Sequence, residues 1–106
     1  MNKLDALIRQ RAVTRREVAK ERVSQIMIDA ERWSVEISLI GSLASDDFAI
    51  HSDIDLLVHG SIDATRRAMV ERLVAKRLRG TEIPYDLIFA SDVSPDKVQE
   101  LLHGRV

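Results

Sequence analysis

The chain has no cysteine, only four aromatic residues and no basic residue between Ser34 and Thr65. Without cysteine there is no disulfide and no thiolate metal site, and a cytoplasmic location is the simple default. With so few aromatics, the core must be built mainly from aliphatic side chains. No apolar run reaches the length of about eighteen residues that a transmembrane helix needs. The amino terminus carries no apolar core of the signal-peptide kind, because Leu4, Leu7 and Ile8 alternate with charged residues.

What is present is one domain's worth of chain, 106 residues, with 45% hydrophobic content. A chain of this size can bury roughly two-thirds of its unfolded surface, enough for one core. The expected organisation is a helical arm over residues 1–33 followed by a core over 34–106. A net charge of −1 conceals an uneven distribution. The basic-free stretch holds six acids, Glu36, Asp46, Asp47, Asp53, Asp55 and Asp63, while Lys and Arg lie in the flanks. An acidic centre repels phosphates unless cations intervene, which argues against direct nucleic-acid binding there. It argues for a divalent metal instead.

Periodicity supplies the elements. Leu4, Leu7 and Ile8 have helical spacing. Thr14-Arg15-Arg16-Glu17 fits a capping box, with Val13 and Val18 placed as a hydrophobic staple, so a new helix is expected to start at Thr14. Ala19, Val23, Ile26, Met27 and Ala30 continue one apolar face to Trp33. The basic residues of this arm, Arg9 to Arg22, read more readily as a solvated helix face than as a partner surface. Val35 to Ile40 predicts a strand ended by Gly41. Residues 42–47 predict a short helix or turn. Ile54 to Val58 is nearly continuous aliphatic, as in a buried central strand. A helix follows on Ile62, Met69, Val70, Leu73, Val74 and Leu78, ended by Gly80. Tyr85 to Phe89, after Pro84, predicts a third strand. Ser94-Pro95 reads as a cap and first position of a last helix, with Val98, Leu101 and Leu102 buried and Gly104 at its end. Helices alternating with strands predict an α/β chain, a small sheet with helices packed on it.

Two acids frame the start of the central strand. Asp53 and Asp55, two apart, would share one face about 6.6 Å apart, with Ile54, Leu56 and Val58 on the other. Carboxylates this close repel, raising one pKa unless a cation lies between them. Mg²⁺ suits such a pair, since it takes oxygen ligands and shares carboxylates with substrate phosphates. Asp86 stands in the otherwise apolar run Tyr85 to Phe89, where a charge needs a reason. A neighbouring strand about 4.8 Å away would let it converge on the same metals.

The combination Gly41-Ser42, ten residues, then Asp53-Ile54-Asp55, with Asp86 in a later strand, resembles the polymerase beta-like nucleotidyltransferase superfamily, and within it the minimal nucleotidyltransferases. The resemblance spans residues 34–92 and weakens in the flanking helices. It implies a small mixed sheet of about three core strands with flanking helices. It implies a nucleoside triphosphate donor, ATP by family habit, and two Mg²⁺ ions. Asp53 and Asp55 would hold both metals, Asp86 the one that activates the acceptor hydroxyl, and Gly41 and Ser42 the triphosphate end. Such proteins often act as antitoxins on an all-helical toxin of the HEPN family, to which they can add AMP. Many relatives place Arg shortly after the Gly-Ser; here Leu43, Ala44 and Ser45 follow, so metal alone, or Arg66 and Arg67, would have to neutralise a triphosphate.

Two other functional classes fit the same residues. A noncatalytic module could keep the fold and neutralise a partner by covering it, using the basic arm. A small-molecule nucleotidyltransferase would need a second subunit to build its acceptor pocket. Among lesser candidates, His51 reads as a loop residue, His59 as a strand cap, His103 as helix surface, Asp46 and Asp47 as flanks of the short helix, and Trp33 as a core anchor rather than a base-stacking platform.

Overall fold

The structure is a computed structural model and describes residues 2–103. Helix α1 runs unbroken over Lys3–Arg32, with the Asn2 side chain accepting from the Asp5 amide at 2.8 Å. The new start expected at Thr14 does not occur. A capping box requires its first residue to leave the helical conformation, and no Gly or Pro precedes Gly41 to force that. Adding one more helical residue is easier than ending one helix and nucleating another. Val13 is accordingly exposed rather than stapled. Ala19, Val23, Ile26 and Ala30, spaced by four, three and four, are the positions that α1 buries.

The helix ends at Trp33, and Ser34 turns the chain with φ 57°. Trp33 is exposed, not the core anchor expected, because it sits on the C-cap, three residues past Ala30, the last position that α1 buries. Strand β1 covers Ile37–Ile40, two residues shorter than predicted. Val35 is buried, but its amide donates to the Ala30 carbonyl at 3.0 Å and so closes the helix instead of joining the sheet. Helix α2, Gly41–Ala44, follows at once.

Strands β2 (Ile54–Val58) and β3 (Tyr85–Phe89) coincide with the predicted runs. The sheet order is β1-β2-β3, with β1 and β2 antiparallel and β2 and β3 parallel. A mixed sheet is therefore established, and β2 is its centre. The parallel crossover is helix α3, Ala64–Leu78, capped by the Asp63 side chain on the Arg66 amide at 2.8 Å. After a short 3-10 turn at Ala90–Asp92, helix α4 spans Pro95–Leu102, with Ser94 capping the Lys97 amide at 3.1 Å. Val98 and Leu101 are half-buried as expected, but Leu102 is 37% exposed. It lies in the last turn, at the mouth of a cleft. Gly104, expected to end α4, lies outside the described residues.

Two layers result. Ile54, Leu56 and Val58 face α1 and α3, joining Val70, Val74 and Leu78 in one aliphatic core. Asp29 on α1 receives two hydrogen bonds from Arg77 on α3, at 2.6 and 3.0 Å, which locks the helix pair in register. The opposite sheet face carries Asp55 and Leu57, and α4 packs back against β1. None of the helices described is long and apolar enough to cross a membrane.

Candidate active site

The site forms where β1 stops. Its last residue, Ile40, pairs with Asp55 across the sheet, and Gly41 then turns the chain with φ 74° into α2. Two independent facts require glycine here. That φ is the left-handed region that side chains disfavour. A Cβ on Gly41 would also run into Asp55 Oδ2 and lie 3.2 Å from its Cγ. The backbone of the Gly-Ser turn therefore lies directly over the Asp55 carboxylate.

The parallel register sets Asp86 beside Asp55. Asp53 stands just before the first residue of β2. Asp55 is half-buried, whereas Asp53 and Asp86 are exposed. Burial pushes the Asp55 carboxyl above the usual carboxylate range, and the Asp86 and Asp53 charges add to that rise. All three acids thus act on one locus. Among the described residues, however, no three His, Asp or Glu groups are gathered closely enough to hold a metal ion. The donor chemistry nevertheless fits a hard divalent cation, because the three carboxylates supply oxygen ligands and Asp55 feels the charge of the other two.

A cleft of about 770 Å³ opens over this locus. Asp55, Asp86 and Gly41 line its floor, Ser45 and Asp47 one side, and Leu101 to His103 of α4 the opposite wall. Among the described residues neither Lys nor Arg lines it. Ser42 and Asp53 do not contribute to this lining. Ser42 is half-buried, and its carbonyl accepts from the Asp47 amide at 2.8 Å, which closes α2. The first-turn amides of α2 have no partners within the helix.

Arg66 and Arg67 lie elsewhere, contrary to the supporting role considered for them. Arg66 donates to the Trp33 carbonyl. Arg67 grips Asp92 at 3.0 and 2.6 Å and stacks 4.0 Å from the Phe89 ring centre. Phe89 pairs with Val58, at the far end of β2 from Asp55. A basic side chain near the Gly-Ser segment comes from α1 instead, where Lys20 pairs with Asp46 at 3.0 Å. Asp46 thereby ties α2 to the arm, and the Lys20 hydrogen bond holds its carboxyl below the usual range.

Three cleft residues were not legible as such. Asp47 reads as a helix flank and Ser45 carries no assigned role, yet Ser45 Oγ donates to Asp47 Oδ2 at 3.2 Å and both line the cleft. His103 read as helix surface, and lies instead on the cleft wall, 3.1 Å from Gln99 Oε1. Only its spacing from Leu101 and Leu102 could have hinted at this. His51 is an exposed loop residue, and His59 follows β2, its Nε2 2.6 Å from Ser38 Oγ.

No curated protein and no solved structure matches the chain. The sequence model of one family, described as a nucleotidyltransferase domain, matches residues 17–106. That match takes in every acid of the cleft, the glycine above it and all three strands, and the chain belongs to the nucleotidyltransferase domain family.

Proposed function

We propose that the cleft binds a nucleoside triphosphate with divalent metal and transfers its nucleotidyl group to an acceptor hydroxyl. One observation carries this reading: in a nucleotidyltransferase domain, Asp55 lies beside Asp86 in parallel register and directly beneath Gly41. Asp53, Asp55 and Asp86 would hold Mg²⁺, two ions by family pattern. When bound, Mg²⁺ neutralises phosphate charge and polarises the phosphorus centre. Gly41 admits the phosphates close to the backbone, and the free amides of the first α2 turn with the Ser42 hydroxyl donate to them. Asp86 orients the acceptor hydroxyl and takes up its proton. Ile40 and Ile88 give the floor an apolar margin that limits water. ATP as donor, with AMP transferred, is the reading we adopt. The acceptor we favour is a hydroxyl on a HEPN-type toxin, which would make the protein an antitoxin of the cytoplasm.

A second reading is supported by the lack of Lys and Arg, among the described residues, in the cleft lining. In it, the domain neutralises its partner by covering it, without transfer. Calorimetric titration of Mg²⁺ with nonhydrolysable ATP separates the two. Catalysis requires metal-dependent binding that Asp55→Asn removes, together with a fall in transfer of at least about 100-fold. Transfer undiminished in both Asp53→Asn and Asp55→Asn rules out the metal-site assignment.

A further inference from the structure

Trp33 is 53% exposed, on the cap of α1. It lines a groove of about 380 Å³ between the end of α1 and the outer side of α3. The other walls are Arg32 from α1 and Met69, Arg72, Leu73 and Lys76 from α3, with the Asp29–Arg77 pair at one end. This helical layer lies behind the sheet from Asp55, and the groove shares no residue with the acidic cleft.

The charge of the groove is lopsided. Four cations line it against one carboxylate, and that carboxylate is already taken by Arg77. Among the described residues Arg32, Arg72 and Lys76 enter no ion pair. Arg32 and Lys76 also reach the same point, since both help hold the Asp29 carboxyl below its usual range, after Arg77. Three cations outside any ion pair therefore stand beside an exposed indole, a residue type that is highly buried on average.

We propose that this groove binds single-stranded nucleic acid, with a base stacked on Trp33 and successive phosphates on Arg32, Arg72 and Lys76. A flat π-face flanked by cations is the arrangement that single-strand binders use, and it tolerates any base. An acidic peptide would satisfy the cations but would leave the indole unused. The acidic centre repels nucleic acid, whereas this surface on the reverse layer attracts it. The proposal does not depend on catalysis.

Trp33 is the protein's single tryptophan, so fluorescence excited at the red edge, where Tyr85 does not absorb, reports on the groove. The probe is a fluorescein-labelled oligouridylate of about eight nucleotides, titrated into the full chain in EDTA, where a metal-dependent cleft stays silent. Trp33 emission should be quenched, and anisotropy should rise along the same isotherm. Three phosphate contacts give a slope of log K against log salt of about −2. The double variant Arg72→Gln/Lys76→Gln should flatten that slope, and Trp33→Ala should weaken binding about tenfold by anisotropy. Asp55→Asn should bind as the wild type does. Absence of quenching at low salt overturns the proposal. So does equal quenching by polyglutamate of the same charge, or affinity unchanged in Trp33→Ala.

Discussion

Asp55 is held in conflict with its surroundings. Its carboxyl is half-buried, faces Asp86 and Asp53, and titrates above its ordinary value. The folded state therefore binds more protons than the unfolded chain over the interval between the two pKa values, and stability falls as pH rises through it. The cost is fully present above the folded-state value and vanishes below the unfolded carboxylate value of about 3.9. Asp55→Asn should accordingly raise the melting temperature of the metal-free protein at pH 7 and leave it unchanged near pH 3; melting curves across pH check this, and a lower melting temperature at pH 7 would refute it. Gly41 is the complementary case. Gly41→Ala places a methyl group against the Asp55 carboxylate at a left-handed φ. It should cost about 1–3 kcal/mol in urea unfolding. It should also weaken Mg²⁺-nucleotide binding, because the carboxylate must move.

Among the elements, α1 has two unlike halves. Its buried positions begin at Ala19, and before them Leu4, Leu7 and Ile8 are exposed. Ile26→Ala, at a fully buried position, should cost about 2–5 kcal/mol. Leu7→Ala should cost less than about 0.5 kcal/mol, since it vacates no core. Equal losses in chemical denaturation would mean that the first turns pack on the body after all. The family match begins at residue 17, close to where burial begins. Caps and strand runs were readable here because they are local. Ser94-Pro95 starts α4, and Ile54–Val58 and Tyr85–Phe89 are strands, as their side-chain patterns predict. Thr14 misled because a capping box describes where a helix can start, not whether the preceding one has been forced to stop.

At the scale of the molecule, one sheet separates an acidic cleft from a basic groove. Metal-nucleotide binding in the cleft should leave Trp33 emission unchanged, because the indole lies on the other layer. A spectral shift on adding Mg²⁺ with nonhydrolysable ATP would show that the two faces communicate. The candidate acids and the Gly-Ser turn were legible in the chain, because their spacing is a property of neighbouring residues on single strands. The positions of Arg66, Arg67 and Trp33 were not. They depend on which end of the parallel crossover each residue occupies and on where α1 ends against α3. Ser45, Asp47 and His103 likewise became cleft residues only when α2 and α4 were brought to the same sheet face. Element identity, the acidic motif and the aliphatic core were determined by the sequence alone, since each follows from side-chain period and local hydrogen bonding. The register of Asp55 with Asp86, the crowding of Gly41 and the separation of charge onto two faces were decided by the tertiary structure, because each requires strands distant in the chain to pair.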